Sequence, residues 1–373
     1  MSVLIVADPW DVHVRAVAWA LRQRSIDSAV WYTHDYPQKH AASFEIGAEQ
    51  ALTPHLYCAH KYQSFAAAAD TVWLRRWYRP EADPSLHPAD VKFAQNEANE
   101  FVQSMMHALN DGARFWVNPL QAKQRADRKP VQLAAARAVG LRIPETLISN
   151  EPTRIRAFFD QHHGRIIYKP MTAASWRSET ETHVSYTAPV TAEVLAEDAA
   201  LSNAPAIYQT EVHKAFELRV TLIGRTLFAA RLESQQSDFY KTDWRANMLT
   251  QNLLPAPFTL PPTVAERCLA LADALGVVFG CLDLIVTPDD EYVFLEINEM
   301  GQFLWVEEEN EAFPLLDCFV KFLISRDPAY RYQDGDRQFP LKAFMASPDA
   351  ALDRLPAPGI HVPPPAWFHM QES

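Results

Sequence analysis

The stretch Cys281-Leu-Asp-Leu-Ile-Val-Thr-Pro-Asp-Asp-Glu-Tyr-Val-Phe-Leu-Glu-Ile-Asn298 decides the fold. Two apolar runs surround a short segment rich in turn-forming residues, which predicts a β-hairpin. If the connecting loop has four residues, Thr287 lies opposite Tyr292, and Asp283 then lies opposite Glu296 on the neighbouring strand. The sequence therefore predicts two carboxylates side by side within an apolar sheet.

Two carboxylates that face each other across strands destabilise a sheet unless positive charge lies near them. Because side chains alternate between the two faces of a strand, Asn298 lies on the same face as Glu296. Carboxylate and amide oxygens suit Mg²⁺, which proteins often hold through one or two carboxylates and substrate phosphates. The acids would also be tolerated on a solvated surface hairpin, but the alternating residues are apolar and require a core: Val293, Leu295 and Ile297. We therefore predict that Asp283, Glu296 and Asn298 bind a metal.

Composition limits the functions that the chain can have. It has 373 residues, of which 48% are hydrophobic and 21% are charged, as in a globular protein of two or three domains. The net charge of -12 repels phosphate backbones, so we expect no general nucleic-acid binding. No uninterrupted apolar stretch approaches the ~18 residues of a membrane span, so we expect no membrane insertion.

Cysteine and glycine contents exclude several kinds of site. The four cysteines, at positions 58, 268, 281 and 318, fit neither a metal-binding spacing nor a disulfide framework. This pattern indicates a reducing compartment, and we predict a cytoplasmic location. The chain has 10 glycines, and the glycine-rich motifs of P-loop and dinucleotide-binding proteins do not occur. A nucleotide must therefore be held in another way.

The order of the predicted elements divides the chain into four segments. Residues 1–120 begin with a strand, a helix and a second strand, which predicts a parallel α/β domain. Residues 121–204 form a small second domain of short helices and strands. Residues 205–325 contain mostly strands, with a two-residue hairpin turn at Gly224-Arg225. Residues 326–373 are rich in proline and are predicted to be irregular.

Several residues are predicted to mark the ends of helices. Asp127 is expected to cap the start of a helix that ends at Gly140. Asp8, Asp11 and His13 follow the first strand and resemble a set of metal ligands. A turn with a helix cap is the preferred interpretation of this cluster.

Basic residues occur where strands and helices begin or end. Lys169 ends the apolar strand Ile166-Ile-Tyr168, and Lys129 begins a helix, although either lysine alone is typical of a surface residue. Arg219 lies within an apolar strand and therefore needs an anionic partner. Arg245, in Asp243-Trp-Arg245, offers a second guanidinium, whose planar fork suits phosphate or carboxylate.

A basic and aromatic patch lies in the first domain. Arg75, Arg76 and Arg79 alternate with aromatic residues at positions 73, 77 and 78. Domain packing and contact with a ligand explain this patch about equally well, and the sequence leaves both interpretations open.

The basic and acidic residues together resemble the nucleotide site of the ATP-grasp superfamily. They occur along the chain in the superfamily's order: Lys129, Lys169, residues 207–212, Arg219, Arg245, Asp283, Glu296 and Asn298. The resemblance implies a three-domain α/β architecture, with an N-terminal α/β domain, a small central α+β domain and a C-terminal antiparallel sheet with helices. It also implies ATP and Mg²⁺ as cofactors.

The resemblance implies a role for each of these residues. Lys129 and Lys169 would hold the α- and β-phosphates, and Arg219 and Arg245, with Asp243 beside them, would act on the transferred phosphate. The adenosine-binding set implied in the same way is Gln209, Thr210, Glu211, Val212, Lys214 and Glu217.

Further short segments match one group within the superfamily. They are residues 72–76, 144–150, 167–170, 208–209, 217–221, 234–235, 243–245, 295–298 and 301–307. This pattern resembles the microviridin-type graspetide ligases, which join side chains of a ribosomal peptide through ester or amide links. The chain departs from that group at Glu299-Met300, where the group has proline and a serine or threonine. It departs from the wider superfamily in the loop after Lys169, which lacks glycine.

The narrower resemblance implies a ligase that activates Asp or Glu side chains of a precursor peptide as acyl phosphates. A Ser, Thr or Lys side chain of the same peptide would then displace phosphate. The implied partners are a precursor peptide with a leader and a core, and a second copy of the chain in a homodimer. The alternatives are a ligase that adds amino acids to a carboxylate, a kinase on the same fold, and a regulatory nucleotide-binding protein without turnover.

Overall fold

A computed structural model of the chain describes residues 1–7, 10–48, 52–57, 69–111, 114–172, 175–177, 182–184, 187–234, 254–333, 335 and 337–351. Asp243 and Arg245, two of the predicted catalytic residues, lie outside the described residues, as does Asp8.

The described strands are β1 (Ser2–Ala7), β2 (Asp27–Tyr32), β3 (Ala41–Glu45), β4 (Thr53–Tyr57), β5 (Thr71–Leu74), β6 (Phe115–Val117), β7 (Thr146–Ser149), β8 (Ile166–Pro170), β9 (Ser175–Arg177), β10 (Thr182–Val184), β11 (Ala188–Pro189), β12 (Ala206–Thr210), β13 (Phe216–Ile223), β14 (Thr226–Leu232), β15 (Ala256–Phe258), β16 (Phe279–Val286) and β17 (Tyr292–Asn298). The described α-helices are α1 (Val12–Gln23), α2 (Pro88–Asn110), α3 (Leu120–Ala126), α4 (Lys129–Ala138), α5 (Pro152–Gln161), α6 (Asp198–Asn203), α7 (Pro262–Leu275), α8 (Leu304–Glu309), α9 (Leu315–Ser325) and α10 (Leu341–Met345). None of these helices combines the length and apolar character that crossing a bilayer requires.

The N-terminal part is a four-stranded parallel sheet in the order β2-β1-β5-β6, with β3 and β4 as a separate hairpin. Strand β1 is buried along its whole length because both faces of the sheet are covered. Alternate residues such as Val3 and Ile5 pack with α1 and α9, whereas Leu4 and Val6 pack with α2. The α/β organisation predicted for this part of the chain is confirmed.

The central part is an antiparallel sheet in the order β11-β8-β12-β7, with its own small core. Strand β12 pairs with both β8 and β7, so residues 206–210 belong to this sheet and not to the next one. The predicted domain limits remain a prediction, but this pairing assigns the strand that follows residue 204 to the central sheet.

The C-terminal part is a five-stranded antiparallel sheet in the order β15-β14-β13-β16-β17. One face packs on α3, α4 and α7 through residues that alternate along β16, including Leu282, Leu284 and Val286. The turn between β13 and β14 consists of Gly224 and Arg225, as predicted, and Gly224 has a φ of 58°.

The register of the hairpin β16–β17 differs in part from the prediction. Val286, and not Thr287, lies opposite Tyr292, so the turn displaces the pairing by one residue. A β-bulge between Asp283 and Leu284 restores the predicted register, and Asp283 lies opposite Glu296.

Two helix predictions have different outcomes. Asp127 does not cap α4, because it ends the preceding helix α3 and forms an ion pair with Lys123 at 3.0 Å. The predicted end of α4 is confirmed, since Gly140 follows it with a φ of 82°.

The prediction that residues from 326 onward are irregular is wrong for residues 341–350, which contain α10, whereas the described residues 326–333, 335 and 337–340 form no helix or strand. Helix α10 packs into the core of the N-terminal part, where Phe344 is fully buried against Trp19. Buried acids from α8 and α9 bind the backbone of this segment. Glu307 accepts a hydrogen bond from the amide of Leu341, and Asp317 accepts one from the amide of Phe339.

We expect that Phe344→Ala lowers the free energy of unfolding by about 3–5 kcal/mol, because it leaves a cavity in this core. The neighbouring side chain of Met345 is 45% exposed, so Met345→Ala is the matched control. Urea denaturation checks both variants. Equal, small losses would contradict the assignment of α10 to the core.

Candidate active site

A row of charged side chains crosses three strands of the C-terminal sheet. Arg219 on β13 is the register partner of Asp283 on β16, which is in turn the partner of Glu296 on β17. Nη1 of Arg219 lies 2.9 and 3.0 Å from the two carboxylate oxygens of Asp283. At the end of the row, the Lys129 ammonium forms an ion pair with Glu296. The two acids are therefore flanked on both sides by cations.

The central ion pair of this row is buried. Arg219 is 5% exposed and Asp283 is 6% exposed. Burial alone would lower the pKa of the Arg219 guanidinium, but the adjacent Asp283 carboxylate outweighs it and the pKa is raised. Arg219 is therefore charged at every relevant pH, and the anionic partner expected for an arginine in an apolar strand is Asp283.

Asn298 is the third predicted metal ligand. It lies opposite Cys281 on β16, on the face of the sheet that carries Asp283 and Glu296. Its Oδ1 accepts a hydrogen bond of 3.0 Å from the amide of Gly301. Among the described residues, no group of three or more His, Cys, Asp or Glu side chains forms a metal site, so an amide such as that of Asn298 would have to complete this one.

A cleft lies between the central sheet and the C-terminal sheet. It encloses about 430 Å³, part of it open to solvent. Its lining residues come from both sheets and from the segment that joins them: Pro144, Ile167, Lys169, Gln209, Thr210, Glu211, Val212, Lys214, Ile285 and Leu295. Six of the eight residues predicted to bind the cofactor line this cleft, and Lys129 and Glu217 do not.

Leu295 lines the cleft because of the β-bulge. The sequence predicts Leu295 as a core residue beside Val293 and Ile297, but it is only half-buried. The bulge leaves Leu295 without a register partner between Phe294 and Glu296. The apolar side chain of Leu295 thus lines the cleft, next in sequence to the acidic residue Glu296.

Gln209 and Glu217 are the most buried members of the predicted adenosine-binding set. Gln209 is 2% exposed, and its Nε2 donates to the Thr146 hydroxyl at 3.0 Å. Its Oε1 is buried and has no hydrogen-bond partner among the described residues. Burial raises the pKa of the Glu217 carboxyl, although the Lys214 ammonium at 2.9 Å opposes this shift.

Two buried amide side chains that the sequence analysis missed hold the strand of the acids in place. Gln132 on α4 accepts a hydrogen bond from the amide of Ile297 and donates to its carbonyl, at 3.0 and 2.9 Å. Asn118 donates to the carbonyls of Phe279 and Glu299, both at 2.8 Å. Gln132 could have been found from the sequence, because it is a polar residue on the apolar face of α4, three residues after Lys129.

Glu299, which departs from the graspetide pattern, is also buried. It is 4% exposed and lies 2.8 Å from the Lys123 ammonium. Burial raises the pKa of its carboxyl against the opposing effect of Lys123.

The loop after Asn298 is held by the N-terminal part of the chain. Arg75 is 1% exposed and donates to the carbonyl of Gly301 at 2.7 Å. His13 Nε2 accepts from the amides of Phe303 and Leu304 at 3.1 and 3.3 Å. Asp11 caps α1, as predicted, by accepting from the amide of His13. On the other side, Arg219 donates to Gln302.

Three solved structures are similar over most of the chain. The RiPP-associated ATP-grasp ligase of Chryseobacterium gregarium, in complex with ADP and with a leader and core peptide, is 26% identical, with a TM-score of 0.80 over 90% of this chain and 99% of its own. The macrocyclase MdnC of Microcystis aeruginosa MRC, bound with precursor peptide MdnA, is 26% identical, with a TM-score of 0.76 over 87% and 100%. The macrocyclase MdnB of the same organism is 29% identical, with a TM-score of 0.71 over 87% and 99%. No protein-family model and no curated protein sequence matches the chain.

We expect that Gln132→Met lowers the free energy of unfolding by roughly 2–4 kcal/mol, because it leaves two buried backbone groups of Ile297 without partners. Gln124 lies on the exposed side of α3, so Gln124→Met is the control. Urea denaturation at neutral pH compares them, and equal midpoints would contradict the role of Gln132.

Stability should also depend on His13 at mildly acidic pH. Burial, and then the Arg75 guanidinium, lower the pKa of His13 from 6.5 to about 4. Between these values the unfolded chain binds a proton that the folded chain does not, so stability falls as the pH falls through this window. One proton corresponds to roughly 1.4 kcal/mol per pH unit.

The matched comparison uses His13→Gln and His107→Gln, since His107 is exposed. We expect urea denaturation of His13→Gln between pH 7 and 4.5 to show a shallower loss of stability, by about one proton. His107→Gln should keep the slope of the unchanged chain. Identical slopes in all three proteins would refute the assignment.

Proposed function

We propose that the chain is an ATP-grasp ligase, as its sequence predicts, and that it joins acidic side chains of a ribosomal precursor peptide to Ser, Thr or Lys side chains of the same peptide. The observation that carries the proposal is the row of charges from Arg219 to Lys129 beside a cleft that Lys169 lines. It is supported by the similarity to two ligases that are bound to their peptides.

The cleft fits adenosine. Ile167, Ile285 and Leu295 provide apolar surface for a flat base, as in most sites for small ligands. The buried Oε1 of Gln209 is an acceptor without a described partner, and the amino group of adenine is a donor. The amides of Thr210 and Glu211 already donate to the carbonyls of Glu145 and Arg165. In this proposal Gln209 and the backbone of Val212 therefore hydrogen-bond to the adenine base. Glu217 and Lys214 lie toward the ribose.

The acid pair fits a hard cation, because two carboxylates and an amide share one face of the sheet. Asp283, Glu296 and Asn298 would hold Mg²⁺, which neutralises phosphate charge when bound. Glu296 would exchange its partner Lys129 for the cation. The released Lys129 ammonium, together with Lys169, would then bind phosphate oxygens.

The reaction that these residues support has two steps. An Asp or Glu carboxylate of the peptide attacks the γ-phosphorus of ATP, which forms an acyl phosphate and releases ADP. A hydroxyl or amine of the peptide then attacks the acyl carbon, loses its proton and expels phosphate. Each link therefore removes one water molecule from the peptide. Arg219 and Arg245, with Asp243 near them, would stabilise the charge that develops on the transferred group.

The precursor peptide is expected to dock through a leader segment while its core enters the site. The family resemblance also carries a homodimer and a cytoplasmic location as parts of the proposal. Light scattering of the purified protein would test the dimer directly.

The decisive experiment incubates the enzyme with ATP, Mg²⁺ and a candidate precursor encoded beside its gene. Mass spectrometry should show the loss of one water per link. Hydroxylamine should trap the activated acid as a hydroxamate when the acceptor Ser, Thr or Lys is replaced by alanine. A stable phosphorylated peptide that resists hydroxylamine, with no dehydrated product, would instead identify a kinase and refute the ligase.

The arginine of the charge row provides a second test. Arg219→Lys keeps a positive charge but loses the planar guanidinium, which holds Asp283 through Nη1 and the Gln302 carbonyl through Nη2, so turnover should fall by about 100-fold or more. Binding of a non-hydrolysable ATP analogue should fall much less. The control is Arg225→Lys on the adjacent turn, where Arg225 pairs with the surface residue Asp273. Unchanged ADP release by Arg219→Lys would remove Arg219 from the mechanism.

A further inference from the structure

One face of the central sheet forms a wall of the cleft, and two adjacent strands supply its side chains. Side chains alternate along a strand, so Tyr208 packs in the core of the central sheet whereas Gln209 lines the cleft. On the neighbouring strand β8, Ile167 is the register partner of Gln209 and also lines the cleft. The backbone of Gln209 is therefore fixed between β7 and β8, and its side chain belongs to the wall of the cleft.

A short chain of hydrogen bonds holds the carboxamide of Gln209. Its Nε2 donates to the hydroxyl of Thr146, its register partner on β7, at 3.0 Å. The same hydroxyl donates to the carbonyl of Pro144 at 2.8 Å. The described residues that line the cleft include Gln209 and Pro144 but not Thr146, so Thr146 contacts the site through Gln209.

This chain of hydrogen bonds fixes which end of the carboxamide faces Thr146. A carbonyl oxygen can only accept, so the single hydroxyl hydrogen of Thr146 is used by Pro144. The Thr146 oxygen can then only accept from Gln209, and the amide nitrogen must face it. The reverse orientation would bring two acceptor oxygens into contact, or it would take the donor away from the carbonyl of Pro144, which is a buried residue.

The oxygen of the carboxamide is consequently a fixed acceptor. Gln209 is 2% exposed, and its Oε1 is buried without a hydrogen-bond partner among the described residues. Buried polar groups in native proteins are nearly always hydrogen-bonded, so this oxygen indicates a ligand that supplies a donor. Because the amide nitrogen is committed to Thr146, the carboxamide cannot offer a donor in place of this acceptor.

We propose that Thr146 sets the choice of nucleotide base, because it holds the Gln209 oxygen as an acceptor that favours a 6-amino purine over a 6-oxo purine. The 6-amino group of adenine donates to this oxygen. The 6-oxo group of hypoxanthine or guanine would instead bring a second acceptor against it and leave the buried oxygen unpaired. This inference rests on the proposed function and adds the residue that determines base selectivity. Thr146 is a positioning residue, since it acts through Gln209.

The test measures nucleotide binding without turnover, so that it does not depend on ligation. The probes are ADP and IDP, each with Mg²⁺, and isothermal titration calorimetry gives their dissociation constants. The two bases differ at the 6-position and in the hydrogen that hypoxanthine carries on N1. That hydrogen is the same in every titration of IDP, so its effect cancels when variants are compared. The unchanged enzyme should bind ADP roughly tenfold more tightly than IDP, or better.

Thr146→Val removes the hydroxyl and keeps the shape of the side chain, so the carboxamide can turn its nitrogen toward the base. ADP should then bind roughly three- to fivefold more weakly, and IDP should bind more tightly by a similar factor. Thr146→Ser keeps the hydroxyl and should keep the selectivity of the unchanged enzyme. Thr153→Val is the matched control, because Thr153 is exposed on α5, and it should change neither dissociation constant.

The gain in affinity for IDP is the decisive result, because damage to the fold would weaken both nucleotides. Equal binding of ADP and IDP by the unchanged enzyme would overturn the inference, and so would an unchanged ratio of the two dissociation constants in Thr146→Val. Binding of neither nucleotide would overturn both the inference and the ATP site of the proposed function. Failure of the ligase reaction alone would appear separately, as selective binding of ADP by an enzyme that removes no water from any precursor.

Discussion

The buried ion pair between Arg219 and Asp283 is the constraint on which the site depends. Taking both charges out of water is expensive. The pair is tolerated because Nη1 of Arg219 contacts both carboxylate oxygens of Asp283 and Nη2 donates to the carbonyl of Gln302. The pair fixes the register of β13 against β16 and thereby sets the place of Glu296 on β17. A slip of one residue would turn Asp283 into the apolar core, so packing and electrostatics require the same register.

The other side of the acid pair is held by one helix. Lys129 and Gln132 lie three residues apart, on one face of α4, and contact consecutive residues of β17. Lys129 reaches the side chain of Glu296, and Gln132 reaches the backbone of Ile297. At Ile297 the helix thus supplies the edge of β17 with the hydrogen bonds that a further strand would have supplied, and the carbonyl of Arg142 accepts from the amide of Phe294 on the same edge. A cation that displaced Lys129 from Glu296 would leave the Gln132 contacts unchanged, so the strand can stay in place while the ion pair exchanges.

The sequence alone predicted the α/β fold and the proximity of Asp283 to Glu296, because hydrophobic periodicity and paired acids are local patterns. It misplaced the turn, and the register was nevertheless right at the acids because a bulge at Leu295 offset the error. No local pattern shows a bulge, which depends on how two strands twist together. Gln132 was missed for a related reason, since its partner Ile297 is distant in the chain and the contact is to backbone. The patch at Arg75 and Arg76 was seen, but only tertiary burial distinguishes the arginine that packs from the one that faces solvent.

The departure at Glu299 shows how the same loop can be fixed by different means. In the graspetide pattern a proline at this position restricts the backbone covalently, because its ring fixes φ. Here Glu299 accepts from Asn118 through its carbonyl and pairs with Lys123 through its carboxylate. Within the loop, Asn298 accepts from the amide of Gly301. Polar contacts from α3 and from the residue after β6 thus replace the restraint of a proline ring. The carbonyls of Gly301 and Gln302 remain bound by Arg75 of the N-terminal part and by Arg219 of the C-terminal sheet.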